Sequence, residues 1–147
     1  MTPPVAAAPP PAAAPPAPPV PAPPSSAPPA GPVLVGSGTI EDGVTIRNAR
    51  PVTFSVRTFV LPPGGSTGWH QHPGTEISIV KAGTITVLLG PDCEPAEYAA
   101  EDALLIPSNT PHMARNDAAE DAELVVTYLL APDAPERSEV PPACPDR

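Results

Sequence analysis

The sequence predicts an all-β fold, a sandwich or a closed barrel of short strands. Past residue 50, short runs of Val, Ile, Leu and Thr follow one another with Gly and Pro between them, the pattern of many small strands at close spacing. No stretch there keeps a helical period. With 147 residues the chain is long enough for one ordinary domain and too short for two.

The strands can be placed in turn. Residues 52–60 alternate, which puts Val52, Phe54, Val56 and Val60 on one face, and Pro62-Pro63-Gly64-Gly65 stops the run. Residues 76–80 and 84–89 read as the two strands of a hairpin turned at Lys81-Ala82-Gly83, where the glycine takes the positive φ of a tight turn. Residues 103–106 form a short apolar strand ended by Pro107, and residues 124–130 form the last strong strand before Pro132. The barrel therefore spans residues 33–131, with residues 132–147 as a C-terminal strap. Aromatics make up 3% of the chain, so Val, Ile and Leu must line an interior wide enough for one small ligand.

Residues 1–32 are of another kind, almost wholly Pro and Ala, and hold more than half of the 28 prolines. Proline fixes φ and removes backbone donors, so this segment is expected to be a disordered tail or an extended polyproline II spacer reaching about 90 Å. It lacks the basic start and apolar run of a signal peptide. The net charge of −9, with seven Lys and Arg in all, excludes nucleic acid as a natural partner and disfavours an anionic membrane surface. No run has the length of a transmembrane segment. The two cysteines, Cys93 and Cys144, stand beside Pro or Asp. A bond between them would contribute about 4 kcal/mol in the chain-entropy model and pin the strap to the barrel. It would also favour an extracytoplasmic location with a leader upstream. Reduced, the two would be exposed thiols.

All three histidines fall in two short segments, Gly64 to Glu76 and Ile106 to Asn116. On an extended strand His70 and His72 point to the same side, with Trp69 and Gln71 on the other. Glu76 has the same parity, and Pro73-Gly74 supplies a bend that returns its carboxylate toward the two rings. His112 is a fourth donor, from the second segment.

These segments resemble the two motifs of the cupins. The first, G-x5-H-x-H-x3-4-E-x6-G, is met by Gly64, His70, His72, Glu76 and Gly83. The second, G-x5-P-x-G-x2-H-x3-N, is met by Pro107, His112 and Asn116, with Glu101 and Asn109 at its two glycine positions. Asn tolerates the left-handed backbone a turn glycine supplies. Glu101 bears on the turn entering its strand, not on a ligand. The resemblance covers roughly residues 52–130 and implies a double-stranded β-helix, or jelly roll, with a metal on His70, His72, Glu76 and His112. It also implies a homodimer, through sheet exchange by residues 33–46.

Three imidazoles and a carboxylate suit one divalent transition metal, Fe, Mn, Ni, Co, Cu or Zn, and disfavour Mg and Ca. Up to two open positions would admit water, dioxygen or a chelating small molecule. Gln71, Asn109 and Asn116 are the nearby polar residues able to orient the rings. Trp69 reads as a packing residue, and Tyr98, Tyr128, Met113 and Arg57 as core or surface. Two main functional classes follow: a metal-dependent enzyme, an oxygenase-type or dioxygenase acting on a small-molecule substrate with an isomerase or lyase behind it, or a non-catalytic module that binds a small ligand or senses metal or oxidant. A scaffold with an empty site is the least consistent with a full ligand set. No general base or charged substrate anchor beside the metal stands out in the sequence.

Overall fold

The computed structural model describes residues 32, 34–48 and 50–145. The chain divides into two units, Met1–Pro32 and Val33–Arg147. The expected Pro/Ala tail, apart from Pro32, lies outside the described residues.

The second unit is all-β, as predicted. Its strands are β1 (Thr53–Leu61), β2 (His70–Gln71), β3 (Thr75–Ala82), β4 (Thr84–Leu89), β5 (Ala96–Ala99), β6 (Ala103–Ile106), β7 (His112–Arg115), β8 (Ala122–Leu130) and β9 (Ser138–Glu139). They form two antiparallel sheets of a jelly roll, β1-β8-β3-β6 and β5-β4-β7-β2-β9. Leu61, Val80, Ile85, Val87, Leu104, Ile106, Leu124 and Val126 fill the space between them. Each such buried side chain contributes roughly 1.5–3 kcal/mol of transfer free energy, and the core is aliphatic, as the scarcity of aromatics required.

Two expectations are corrected. Strands β3 and β4 are not a hairpin: β3 pairs with β6 and β8, and β4 with β5 and β7, in the opposite sheet. Gly83 does take a positive φ, +75°, but at a corner where the chain changes sheets, and a Cβ there would crowd the Asp121 carbonyl. In β1 the alternation is present, yet Phe54 (63%), Val56 (57%) and Val60 (53%) are on the exposed face. The inward positions are those of Arg57, Phe59 and Leu61. β1 is an edge strand paired only with β8, and these exposures show that nothing in the described residues covers its apolar side. Residues 34–46 form no strand of their own, and Thr39 makes a single parallel bridge to Asp102.

The cysteines are bonded, with Cα atoms 5.5 Å apart. They are not loop thiols at the surface: both are buried in a satellite cluster with Leu88, against which Trp69 and Met113 pack. Trp69 is thus a packing residue.

Candidate metal centre

The parity argument for the first motif holds. His70 and His72 are buried and Trp69 and Gln71 half-buried. His112 lies directly opposite His70 across the β2–β7 ladder. Glu76 comes from the other sheet, where it faces Tyr128 on β8 and Ile106 on β6. The bend at Pro73-Gly74 works through close approach: a Cβ on Gly74 would run into the backbone carbonyl of Leu129. The turn of Asn109, at φ +56°, aims its N–H at the His72 carbonyl, 2.7 Å away. The structure thus brings all four predicted donors together, each buried, with ligating atoms within 4.8 Å of one another.

Each ring is fixed by its Nδ1. His70 Nδ1 donates to the Gly68 carbonyl at 2.9 Å, His112 Nδ1 to the Thr110 carbonyl at 2.8 Å, and His72 Nδ1 to the Glu136 carbonyl. A carbonyl only accepts, so the proton of each neutral ring sits on Nδ1 and Nε2 keeps its lone pair for a ligand. The side chains of Gln71, Asn109 and Asn116 orient none of the rings. Asn116 instead ties loops together, donating to the Leu61 and Glu120 carbonyls and accepting from the Ala118 N–H.

Glu76 Oε1 accepts from the buried Ser78 hydroxyl at 2.6 Å. Its Oε2 lies 2.9 Å from His72 Nε2 and 3.4 Å from His112 Nε2. Despite the short separation, His72 Nε2 and Glu76 Oε2 lack hydrogen-bond geometry, and both are buried polar atoms without a partner. Such groups demand an explanation, and a cation between them would satisfy both. The set of three imidazole nitrogens and one carboxylate oxygen fits one divalent transition metal.

The electrostatics agree. Burial opposes ionisation of Glu76, but His112, His72 and Ser78 outweigh it and hold its carboxyl well below the usual carboxylate range. Burial pushes His70 down to about 4, which favours the neutral ring. For His72 burial acts in the same direction, but the Glu76 carboxylate and the Glu136 carbonyl prevail and raise its pKa.

Next to the donors a cavity of about 120 Å³ opens between the sheets. Leu61, Ile85, Val87, Leu104, Ile106 and Val126 line its apolar wall, and Arg57, Tyr128 and Arg137 also reach it. The Tyr128 ring packs on His72 with centroids 4.6 Å apart, and burial, then the Glu76 and Glu136 carboxylates, hold its hydroxyl well above the ordinary value. Arg57 pairs with Glu136. Arg137 pairs with Glu139 and donates to the Thr67 carbonyl.

Sequence reasoning missed Ser78, Arg137 and the three carbonyl acceptors, and gave Arg57 and Tyr128 no role. Ser78 had a signal, being the polar residue on the inward parity of β3. Backbone acceptors have none, because every residue offers a carbonyl.

Residues 57–128 match the family profile described as a Cupin domain. Among solved structures, the polyketide cyclase RemF from Streptomyces resistomycificus is 22% identical, over 63% of this chain and 63% of its own, with a TM-score of 0.53. The DMSP lyase DddQ from Ruegeria pomeroyi DSS-3 is also 22% identical, over 58% of this chain, with a TM-score of 0.52. The BH2720 protein of Bacillus halodurans is 26% identical, over 58% of this chain and 67% of its own, with a TM-score of 0.51. The first two likenesses are of fold, and the match spans only 42% of DddQ's length. No curated protein matches the sequence. Among the described residues, no helix is long and apolar enough to cross a membrane.

Proposed function

The chain belongs to the cupin family, and from that premise we propose that it is a metal-dependent enzyme of oxygenase type acting on a small anionic molecule. His70, His72, Glu76 and His112 hold the ion. The observation that carries this reading is the pair of orphaned buried atoms, His72 Nε2 and Glu76 Oε2, at the centre of a donor set whose rings are all locked with Nε2 inward. When bound, a redox-active divalent metal supplies Lewis acidity and oxygen chemistry.

The residues around it supply the rest. The cavity is somewhat smaller than an engineered 150 Å³ cavity that holds benzene, so it suits a substrate of about four to six non-hydrogen atoms. Its aliphatic wall excludes water, and Arg57 and Arg137 at its lining, each also paired with a strap carboxylate, are the charged groups available to anchor a substrate. They favour a carboxylate or similar anion over a neutral substrate. The Tyr128 hydroxyl stays protonated and can donate a hydrogen bond to it.

Elemental analysis of protein purified without added metal, then stripped and reloaded, tests the site. About one equivalent of metal is expected in the wild type and none in His72→Ala with the barrel still folded. Equal metal in both overturns the assignment. Oxygen uptake by iron-loaded protein with a panel of small carboxylates tests the chemistry, and tight binding without uptake would favour the sensing module.

A second copy of the chain is the proposed partner, covering the exposed apolar side of β1 and the exposed Leu34, Val35, Val44 and Ile46. Sedimentation should give a dimer at micromolar concentration, converted to monomer by Val56→Asp. A monomeric wild type would refute this.

A further inference from the structure

The C-terminal strap does more than close the domain. Strand β9 pairs with β2 on the edge that carries His70, and the Val140 N–H donates to the Trp69 carbonyl at 3.2 Å. One residue before Arg137, whose side chain reaches the cavity, the Glu136 carbonyl holds the Nδ1 proton of His72. The three rings differ in this respect. His70 and His112 use carbonyls two residues upstream in their own segments, whereas the acceptor for His72 lies 64 residues away. Orientation of His70 and His112 is local, and orientation of His72 depends on where the strap lies.

Little in the strap's own contacts holds it there. β9 has two residues, both exposed, too few to persist as an isolated edge strand. The Arg57 to Glu136 ion pair is at the surface, where such pairs contribute about 0–1 kcal/mol; Arg137 to Glu139 lies within the strap itself, and the exposed Arg137 adds one hydrogen bond to the Thr67 carbonyl. The firm attachment is the Cys93–Cys144 bond and its buried cluster with Leu88, Trp69 and Met113, a few residues beyond β9. Without it the segment belongs to the part of the fold that opens at low cost.

We propose that the strap is a positioning element of the metal centre, fastened over it by the Cys93–Cys144 bond, so that loss of the bond frees the His72 ring and weakens metal binding while the barrel stays folded. This rests on the metal reading above. Glu136, through its carbonyl, is the positioning residue, and the cystine is what keeps that carbonyl in place.

The test uses the full chain and Co(II) alone as the probe, reading dissociation constant and visible ligand-field spectrum. Replacing both cysteines by serine avoids new thiol ligands. In Cys93→Ser/Cys144→Ser the Co(II) dissociation constant should rise by about tenfold or more, the range for losing an outer-shell partner of a ligating histidine, with a changed spectrum. Thermal unfolding of the metal-free forms is followed alongside. A purely structural cystine would lower the melting temperature but leave affinity and spectrum at wild-type values, and that result overturns the proposal. If the serine variant does not fold, Cys93→Ala/Cys144→Ala, whose smaller apolar side chains suit the buried cluster, carries the same test. Wild-type Co(II) affinity and spectrum there, or a barrel that unfolds in both double variants, would overturn the proposal equally. A wild type that takes up no Co(II) refutes the metal reading, and the positioning role falls with it.

Discussion

Asn116→Ala separates a structural from a metal-orienting role at one position. The side chain is fully buried and makes three hydrogen bonds: Nδ2 to the Leu61 carbonyl at 2.8 Å and to the Glu120 carbonyl at 2.7 Å, and Oδ1 from the Ala118 N–H at 2.9 Å. Each such bond is worth about 1 kcal/mol net, and stranding the buried Leu61 carbonyl adds about 1 kcal/mol or more. The expected loss is therefore about 3–4 kcal/mol, a large share of a typical domain's 5–15 kcal/mol. At roughly 4 °C per kcal/mol for a domain of this size, the melting temperature should drop by about 12–16 °C. Asn116→Asp should be worse, since it keeps the acceptor for Ala118 but turns the donor into a charge facing two carbonyls. Urea titration monitored by circular dichroism gives the free energies. A loss under about 1 kcal/mol for alanine, or an aspartate variant more stable than the alanine one, would refute the reasoning. Unaltered stability with weakened Co(II) binding would return Asn116 to the metal shell.

Other outcomes follow from the same structure. Glu101 holds φ +76°, a left-handed conformation costing a non-glycine residue about 1–2 kcal/mol. After allowing for the greater chain entropy of glycine, Glu101→Gly should stabilise by about 0.5–1 kcal/mol in the same urea titration. Gly74→Ala should cost both stability and metal, because the new Cβ meets the Leu129 carbonyl and pushes β3 with Glu76 away from β8. Metal analysis of whatever folds at low temperature checks it. For the metal-free protein, His70 has a folded pKa of about 4, below its unfolded value near 6.5. Its contribution is complete above about 6.5 and lost as pH falls toward 4. His72, raised instead, contributes below about 6.5 and loses that as pH rises through its folded value, so it opposes the slope. The larger displacement is that of His70, and denaturation between pH 7 and 4 should show net loss, flattened in His70→Gln.

The second motif shows how far local sequence reaches. Glycine was expected at positions 101 and 109, and the residues found there, Glu101 and Asn109, both adopt the left-handed backbone that glycine would have supplied. The turn is required by the path of the chain, and the side chain adapts to it. Ligand parity, the strand ends at Pro62 and Pro107, and the aliphatic core were equally readable, since each depends on neighbours a few residues apart. Strands β2, β5, β7 and β9 were not, being short and without apolar alternation. The outward face of β1 was not either, since one face of an amphipathic strand is apolar whether a core or a second chain is to cover it.

By itself the sequence determined which side chains can meet at a metal and where the backbone must turn, because spacing and parity along a strand are local properties. Only the tertiary structure decided that β3 and β4 part into different sheets, that Arg57 and Arg137 share one cavity with the donors, and that the Glu136 carbonyl holds His72. Those relations join segments tens of residues apart through backbone groups that every residue carries, so no residue type announces them.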